Sequence, residues 1–262
     1  MARDMTRWET HFKYQRRLGL LAGLRWSFAN AADRRGLIRE AVSIRPRGLL
    51  HPVFVRMGES SDVDLFQSIF VDGGLDYWRS SLGESPRLIL DLGANVGYVS
   101  SVFLSLFPRA FVLAVEPDPA NLEVCKRTLA PYGDRVKVVE GAVWHTRGQL
   151  ALSRGTFGDG REWATQVRPA EFSETASVTA WDMPALLGMC PRNEIDILKI
   201  DIEGSEKALF SKNVGEWLPR VHNLCIETHG AECAQAVAAA LAPYRCRAGQ
   251  TGEYTLYLNI QA

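Results

Sequence analysis

The spacing of apolar and polar residues changes near residue 86 of the chain. Before that point, the stretch HFKYQRRLGLLAGLRWSFANAA carries apolar side chains at mixed intervals of three and four, which predicts helix. In SSDVDLF, Ser61 followed three residues later by Asp64 has the form of a capping box and predicts another helix start. The pattern therefore predicts a helical arm over residues 1–50 and a second domain over residues 51–262.

The second domain alternates short apolar runs with amphipathic segments. The predicted strands are RLILDLG, AFVLAVEP, VKVVEGAVW, IDILKIDIEG and LCIETHG. The helices between them include YVSSVFLSLF, which Pro108 ends, and DPANLEVCKRTLAPYG, with Asp118 as its N-cap. Continuous apolar strands that alternate with helices form parallel sheets covered on both faces. We therefore expect a doubly wound, Rossmann-like α/β fold with a mostly parallel sheet.

Composition and charge narrow the classes of partner. The 262 residues are 47% hydrophobic and 23% charged, which suits a globular chain with a sizeable core. The formal net charge is zero, which argues against a protein that mainly grips nucleic acid. Residues 1–50 hold eleven Lys or Arg against four Asp or Glu, so the arm is +7 and the rest is −7. We expect the arm either to form a homo-oligomer contact or to meet an anionic partner or membrane.

The N-terminal residues and the cysteines indicate where in the cell the protein is expected to reside. The apolar piece LGLLAGL is interrupted by Arg25 well before the ~20 residues that a membrane span needs, and no signal-peptide h-region is present. The five cysteines show no metal-ligand spacing. These features predict a soluble, cytoplasmic protein with reduced thiols and no transmembrane segment.

The stretch LILDLGANVGYVS, residues 88–100, predicts a nucleoside site. Its strand delivers Asp91 to the carboxyl edge of the sheet, and Gly93 and Gly97 let the backbone approach a ligand closely. A side chain added at Gly93 is expected to block the ligand and to leave the fold intact. The turn reads D-x-G-x-N-x-G and lacks the G-x-G-x-x-G fingerprint of dinucleotide sites. An acid at the strand end better suits a cationic, amino-acid-bearing nucleoside such as S-adenosylmethionine.

Glu116 ends the next predicted strand, 25 residues after Asp91. A carboxylate at that place can accept hydrogen bonds from both ribose hydroxyls. NAD would use the same acid, so Glu116 predicts a bound ribose and leaves the rest of the nucleoside open.

Ionisable side chains collect at two further strand ends. Period-two alternation places Lys199, Asp201 and Glu203 on one face of LKIDIEG, and Glu227 and His229 on one side of CIETHG. If the strands are neighbours and the nucleoside is S-adenosylmethionine, these groups meet where its sulfonium methyl would point. His229, oriented by Glu227 or Asp201, could take the proton of an acceptor hydroxyl. The alternative is a divalent cation held by Asp201, Glu227 and His229; we favour the base.

Residues 52–230 resemble the FkbM family of S-adenosylmethionine-dependent methyltransferases. The motifs that carry the resemblance are, in order, ILDLGANVGYVS, AVEPDPANLEVCKRTL, VVEGAVW, ILKIDIEGSE and IETHG. Upstream, ESSDVDLFQSIF with Tyr77 is similar to the segment that precedes the cofactor loop in that family. The resemblance implies a seven-stranded class I methyltransferase fold. It also implies methyl transfer to a hydroxyl of a small molecule, such as a sugar, glycolipid or natural-product scaffold.

The resemblance also assigns cofactor-binding residues. They are Asp91, Gly93, Asn95 and Gly97 at the methionine end, Glu116 at the ribose, Gly141, Ala142 and Val143 at the adenine, and Asp62 upstream. Many methyltransferases carry an Asp at the adenine edge, where this chain has Ala142. Adenine recognition would then fall to backbone groups or to Glu140.

Two other activities are weaker alternatives. A methyltransferase acting on nucleic-acid amino groups would be expected to show N-P-P-Y or D-P-P-Y where this chain reads DIEG. A nicotinamide-dependent oxidoreductase lacks its glycine fingerprint here. Residues 154–176, which contain GTFGDGREW, are predicted to form either a lid over the acceptor or an ordinary surface loop.

Overall fold

The structure is a computed structural model that describes residues 7–58, 60–73, 85–153, 166–169 and 177–261. The chain divides into two compact units, Met1–Arg79 and Ser80–Ala262. The arm predicted over residues 1–50 falls inside the first unit.

The first unit consists of short helices and a two-stranded antiparallel sheet. Its elements are α1 (Arg7–Leu18), α2 (Leu20–Asp33), β1 (Val42–Ile44), β2 (Val53–Val55) and α3 (Asp62–Phe66), which continues as a π-helical turn, Gln67–Val71. The single helical run predicted from the sequence breaks at Gly19, whose φ of 89° lies in the left-handed region. The core of this unit includes Trp26 and Phe66, both fully buried, with ring centroids 4.2 Å apart.

Helix α3 begins where the sequence predicts, but the predicted capping box does not form. Ser61 adopts helical backbone angles and makes no side-chain capping hydrogen bond. The N–H of Asp62 instead donates to the Ser60 hydroxyl at 3.1 Å.

The second unit is built around a seven-stranded sheet. The strands of the whole unit, in chain order, are β3 (Leu88–Leu92), β4 (Phe111–Glu116), β5 (Val136–Glu140), β6 (Ala142–Val143), β7 (Gly148–Ser153), β8 (Gln166–Pro169), β9 (Ser177–Trp181), β10 (Ile197–Ile200), β11 (Asn223–Glu227), β12 (Arg245–Thr251) and β13 (Tyr254–Gln261). The large sheet has the order β12-β13-β11-β10-β3-β4-β5. Strands β5, β4, β3, β10 and β11 pair in parallel, and β13 is antiparallel to β11 and β12. The predicted mostly parallel, doubly wound architecture is confirmed.

Helices cover both faces of this sheet. They are α4 (Tyr98–Leu106), α5 (Pro119–Leu129), α6 (Met183–Leu187), α7 (Glu206–Leu209), α8 (Val214–Trp217) and α9 (Ala231–Leu241). Alternate residues such as Leu88, Leu90 and Leu92 pack against α6 to α9. Helices α4 and α5 contact β3, β4 and β5. The intervening residues Ile89, Val112 and Ala114 of β3 and β4 are buried as well. Burial on both faces is why these strands read as continuous apolar runs.

The N-cap predicted for α5 is confirmed. The Asp118 side chain accepts hydrogen bonds from the N–H groups of Ala120 and Asn121 at 2.8 and 3.2 Å. This cap starts the helix directly after β4 and so places the end of that strand, Glu116, at the edge of the sheet.

A second, four-stranded sheet has the order β6-β9-β7-β8. The prediction of one strand over VKVVEGAVW is therefore wrong, because the chain turns at Gly141, where φ is 144°. Before the glycine the residues pair with β4; after it, Ala142 and Val143 pair with β9.

Within the described residues, none of the helices combines the length and apolar character required to cross a bilayer.

Candidate active site

Asp91 and Lys199 occupy the centre of the carboxyl edge of the large sheet. They are register partners on the parallel strands β3 and β10, and both are buried. The Lys199 Nζ lies 3.1 Å from Asp91 Oδ1 and donates to the Gly93 carbonyl at 2.6 Å. The Ser100 hydroxyl donates to the other Asp91 oxygen at 2.6 Å.

These contacts decide the charge of Lys199. Burial acts to lower its pKa, but the charges of Asp91 and Asp201 outweigh burial and raise it. The ammonium therefore stays protonated at neutral pH and cannot serve as a base. Lys199, which the sequence placed among the catalytic candidates, holds the glycine turn and the acids on either side of it.

The glycine turn is packed against the chain itself. At Gly93, where φ is 80°, an added Cβ would lie 1.7 Å from the Asp201 carbonyl oxygen. At Gly97, where φ is 82°, it would lie 3.2 Å from Cys125 Sγ on α5. The expectation that a side chain at Gly93 would spare the fold is therefore wrong, because the first obstacle is backbone at the end of β10. The expectation that it would block the ligand stays a prediction.

Glu116 is buried at the end of β4 and faces the same turn. Its carboxylate accepts hydrogen bonds from the N–H groups of Asn95 and Asp118 at 2.8 and 2.9 Å. Burial raises the pKa of Glu116 to about 7, although these hydrogen bonds act to lower it. Each carboxylate oxygen can accept more than one hydrogen bond, so Glu116 retains acceptor capacity for ribose hydroxyls.

Asn95 supplies a further polar atom to this edge. Its φ is 49°, and its side-chain Oδ1 is buried without a hydrogen-bond partner among the described residues. A buried acceptor of this kind is costly unless a ligand or water satisfies it. Together, Asp91, Gly93, Asn95, Gly97 and Glu116 are called the cofactor edge below.

The three residues assigned to the adenine lie past the end of β5. The Gly141 N–H donates to the Glu116 carbonyl at 3.1 Å. The side chains of Ala142 and Val143 are buried in hydrophobic clusters, so these two residues can offer a ligand only backbone atoms. Sequence reasoning missed Trp181, whose ring would lie 2.5 Å from a Cβ at Gly141. Its position at a strand end opposite Val143 becomes visible only with the second sheet.

A cluster of acids surrounds His229 beyond the ends of β10 and β11. The imidazole Nδ1 lies 3.0 Å from Glu206 Oε1. The Nε2 lies 3.4 Å from Glu203 Oε2 and 3.5 Å from Glu227 Oε1. Asp201, Glu227 and His229 offer ligand atoms that all lie within 4.8 Å of one another. These five residues, Asp201, Glu203, Glu206, Glu227 and His229, are called the acceptor cluster below.

The acceptor cluster assembles only in part for the reason that the sequence suggests. Strands β10 and β11 are parallel neighbours, as that reasoning requires, and Ile200 lies opposite Ile226, which brings Asp201 and Glu227 together. Strand β10 ends at Ile200, so strand alternation does not extend to Glu203. A turn brings Glu203 in, with φ values of 51° at Glu203 and 94° at Gly204. Asp201 is held by the Leu92 carbonyl, which accepts from its N–H at 3.0 Å, and by the Tyr254 hydroxyl, which donates to its carboxylate at 2.9 Å.

Glu206 was missed by sequence reasoning. It is the first residue of α7, is fully buried, and also accepts from the N–H groups of Ile202 and Gly204 at 3.3 Å. In DIEGSE, the spacing of three residues between Glu203 and Glu206 could have indicated that both side chains lie near His229. Glutamate is common in the first turn of a helix, however, so this spacing alone did not indicate a site.

The acids control the protonation of the acceptor cluster. Burial alone would lower the pKa of His229, but its hydrogen bond to Glu206 and the surrounding carboxylates raise the pKa to about 9. Burial, followed by the charge of Asp201, raises the pKa of Glu203 and of Glu227 to about 7. The groups that titrate near neutral pH are therefore two carboxyls, and the imidazole is charged.

Asp62 belongs to the first unit. Its buried carboxylate accepts from Arg56 through the backbone N–H at 2.9 Å, Nε at 2.9 Å and Nη2 at 2.7 Å. Its cofactor role stays a prediction. Tyr77 and residues 154–165 and 170–176 lie outside the described residues, so the lid prediction also stays open.

Comparison with known proteins identifies related sequences. The methyltransferase FkbM domain matches residues 91–244. The 2-O-methyltransferase NoeI of Sinorhizobium fredii is 28% identical over 146 residues, which cover 50% of this chain and 59% of that protein. The match to this curated relative thus spans about three fifths of its length.

Solved structures show more distant likeness. Precorrin-6y C5,15-methyltransferase from Geobacter metallireducens aligns with a TM-score of 0.43 and 11% identity, over 74% of this chain and 89% of that chain. The O-methyltransferase TomG from Streptomyces achromogenes, in complex with S-adenosylmethionine, aligns with a TM-score of 0.43 and 15% identity, over 73% and 81%. Likeness at this level supports no inference about the reaction.

Proposed function

The chain belongs to the FkbM methyltransferase family, and on that premise we propose that it transfers a methyl group from S-adenosylmethionine to a hydroxyl oxygen of a small molecule. The acceptor class is a sugar, a glycolipid or a natural-product scaffold, and nucleic acid is not the substrate. The observation that carries the proposal is the adjacency of the two halves of the site. Lys199 lies 3.1 Å from Asp91 on the cofactor edge and 3.5 Å from Asp201 in the acceptor cluster.

The residues of the cofactor edge fit S-adenosylmethionine. Glu116 has acceptor capacity for the ribose hydroxyls, and the buried Asn95 Oδ1 awaits a donor. The Asp91 carboxylate adds negative charge beside a cofactor that carries an ammonium and a sulfonium. When bound, the cofactor supplies an activated methyl group. The protein must then position the acceptor oxygen in line with that methyl, at roughly 3 Å.

The remaining task is the acceptor proton, and we assign it to Glu227. With a pKa of about 7, this carboxyl is near the ideal for a general base at neutral pH. The charged His229, 3.5 Å away and held by Glu206, favours the ionised form of Glu227. The sequence suggested His229 as the base with Glu227 orienting it; the raised pKa of His229 favours exchanging these roles.

A divalent cation is the alternative way to activate the hydroxyl. Two carboxylates and an imidazole, from Asp201, Glu227 and His229, form a donor set that suits several first-row metals. Glu206 on Nδ1 would orient the Nε2 of His229 toward such an ion. The ion would take the place of the Nε2 proton of the charged imidazole and of the protons that the clustered acids retain, and it would lower the pKa of the hydroxyl.

A transfer assay with labelled S-adenosylmethionine tests the proposal. The acceptors are a panel of sugars, glycolipids and hydroxylated scaffolds, each paired with its amino analogue, and each reaction runs with and without EDTA. Label on hydroxyl compounds supports O-methylation, whereas label only on amines identifies an N-methyltransferase. If EDTA abolishes the activity and a divalent ion restores it, the acceptor cluster binds a metal ion. If calorimetry shows that the protein binds NAD and does not bind S-adenosylhomocysteine, the assignment of S-adenosylmethionine as the cofactor is wrong.

The cellular site of the reaction is a separate proposal. We place the protein in the cytoplasm, in line with its free cysteines at positions 125, 190, 225, 233 and 246. Fractionation of cells that express the tagged chain tests this placement.

A further inference from the structure

The exposed large hydrophobic side chains of the described residues all belong to the first unit. They are Phe12, Leu20, Leu21, Leu24, Phe28, Leu37 and Leu50. Exposed large apolar side chains that share one surface mark an interaction site more often than single scattered ones do.

Four of these side chains share one face of α2. Leu20, Leu24 and Phe28 repeat at intervals of four, and Leu21 lies beside them, so the four fall within an arc of roughly 100°. They are 63%, 37%, 75% and 82% exposed, in that order. The opposite face of the helix, around Trp26, is buried. The four residues Leu20, Leu21, Leu24 and Phe28 are called the α2 stripe.

Basic residues flank the α2 stripe. Arg25 is exposed on α2 itself, and Arg34 and Arg35 are exposed just after the helix. Arg16 and Arg17 lie in the last turn of α1, which packs against α2. The first turn of α2 contains no acid. Asp33, in the last turn, accepts from the Gly58 N–H, and the five arginines leave the surface around the stripe with an excess of positive charge.

We propose that the α2 stripe binds the surface of an anionic lipid bilayer. Apolar side chains would enter the boundary between headgroups and acyl chains, and the arginines would contact lipid phosphates. The helix has 14 residues and is about 21 Å long, whereas the hydrocarbon core is about 30 Å thick, so α2 lies along the surface.

Charge favours an anionic lipid surface over a second copy of the chain as the partner of the α2 stripe. In a two-fold pair of α2 helices, Arg25 and its symmetry mate would approach across the same apolar contact, which like charges disfavour. An anionic surface attracts both the arginines and the apolar side chains. The inference stands on the first unit alone and does not depend on the reaction.

Vesicle flotation with the full chain tests the inference. One set of vesicles contains phosphatidylcholine alone, and the other replaces part of it with phosphatidylglycerol. We expect binding to the anionic vesicles, weakened by salt because surface charges are screened. Leu21→Glu should reduce binding at least ~10-fold, since it puts a carboxylate into the apolar contact.

The matched control is Leu37→Glu, which adds the same charge at a leucine that is 72% exposed and lies outside the α2 stripe. It should bind anionic vesicles nearly as well as the unmodified chain. Because both leucines are exposed, neither variant should alter the thermal unfolding profile. Equal loss in both variants, or absence of binding to either kind of vesicle, would overturn the proposal. A dimer seen by light scattering that Leu21→Glu dissociates, without vesicle binding, would assign the stripe to a second copy.

Discussion

The cofactor edge and the acceptor cluster use the same chemistry, carboxylates at the carboxyl ends of parallel strands, and hold it differently. On the cofactor edge, Asp91 and Glu116 are buried and tied to Lys199, a serine hydroxyl and backbone N–H groups. In the acceptor cluster, the side chains of Glu203 and Glu227 are 23% and 21% exposed and contact mainly His229. Carboxyls with a pKa raised to about 7 occur in both regions, Glu116 in one and Glu203 and Glu227 in the other, so exposure is what differs. Fixed geometry suits a site that holds one ligand, whereas a site that moves protons needs titrating groups that the acceptor can reach.

The largest expected effect separates the two regions by function. Glu227→Gln removes the carboxylate that we assign to the acceptor proton, or one ligand of the alternative cation. Turnover should fall about 10³-fold, within the usual range for loss of a general base. The affinity for S-adenosylhomocysteine, measured by calorimetry, should stay unchanged.

The control is Glu232→Gln, the same change at an exposed residue on α9 that pairs with Lys207. It should leave turnover as it is. Normal turnover in Glu227→Gln would show that this carboxylate has no part in the mechanism. A loss of cofactor affinity in the same variant would show that the two regions are not functionally separate.

His229→Ala should have the next largest effect. The cluster loses the positive charge that favours the ionised form of Glu227, and turnover should fall at least ~10². Steady-state kinetics with and without EDTA measure the result. If the unmodified enzyme is insensitive to EDTA and His229→Ala is fully active, the imidazole has no part in the reaction.

Gly93→Ala tests the place where the two regions touch. The added Cβ would lie 1.7 Å from the Asp201 carbonyl, so the turn and the end of β10 must separate. We expect the free energy of unfolding to fall by about 2 kcal/mol, as in other overpacked sites, and both cofactor affinity and turnover to decrease. Denaturant titration measures the stability.

Gly252→Ala provides the matched control, because its φ of 57° is also positive and an added Cβ there would meet nothing within 4 Å. It reports the backbone strain alone. Equal losses in the two variants would show that the close approach at Gly93 costs nothing.

Glu116→Ala should affect the cofactor edge alone. We expect cofactor binding to weaken by at least ~1.5 kcal/mol, the scale of hydrogen bonds to a charged group. Calorimetry with S-adenosylhomocysteine measures the affinity. Unchanged affinity would refute the ribose assignment.

The smallest predicted effect is a pH dependence of the same interaction. Burial raises the pKa of Glu116 to about 7, above the ordinary value of 4.5, so the carboxyl takes up a proton as pH falls through 7. Only the ionised carboxylate accepts through all its lone pairs, and cofactor affinity should therefore fall severalfold from one unit above the pKa to one unit below. Glu116→Gln has no such proton and should show a flatter profile; parallel profiles would assign the pH dependence to another group.

The strands and turns of the cofactor edge were accessible from the sequence because they are local. Asp91, Gly93 and Gly97 stand within seven residues, and a buried strand followed by a glycine turn produces the same geometry in many parallel sheets. The cap at Asp118 was likewise readable from neighbouring residues. The break at Gly141 was not, since nothing in VKVVEGAVW indicates that its second half pairs with β9, about 40 residues later.

The sequence by itself determined which residue types reach the ends of the strands, because strand periodicity and turn chemistry act over a few residues. The tertiary structure alone decided the contacts and the protonation of those residues. The contact between His229 and Glu206 joins residues 23 positions apart, and it fixes the imidazole as the charged member of the cluster. A pKa depends on burial and on neighbouring charges, which the sequence does not place in space. In the same way, a side chain at Gly93 would clash with the carbonyl oxygen of Asp201, which is more than one hundred residues away along the chain.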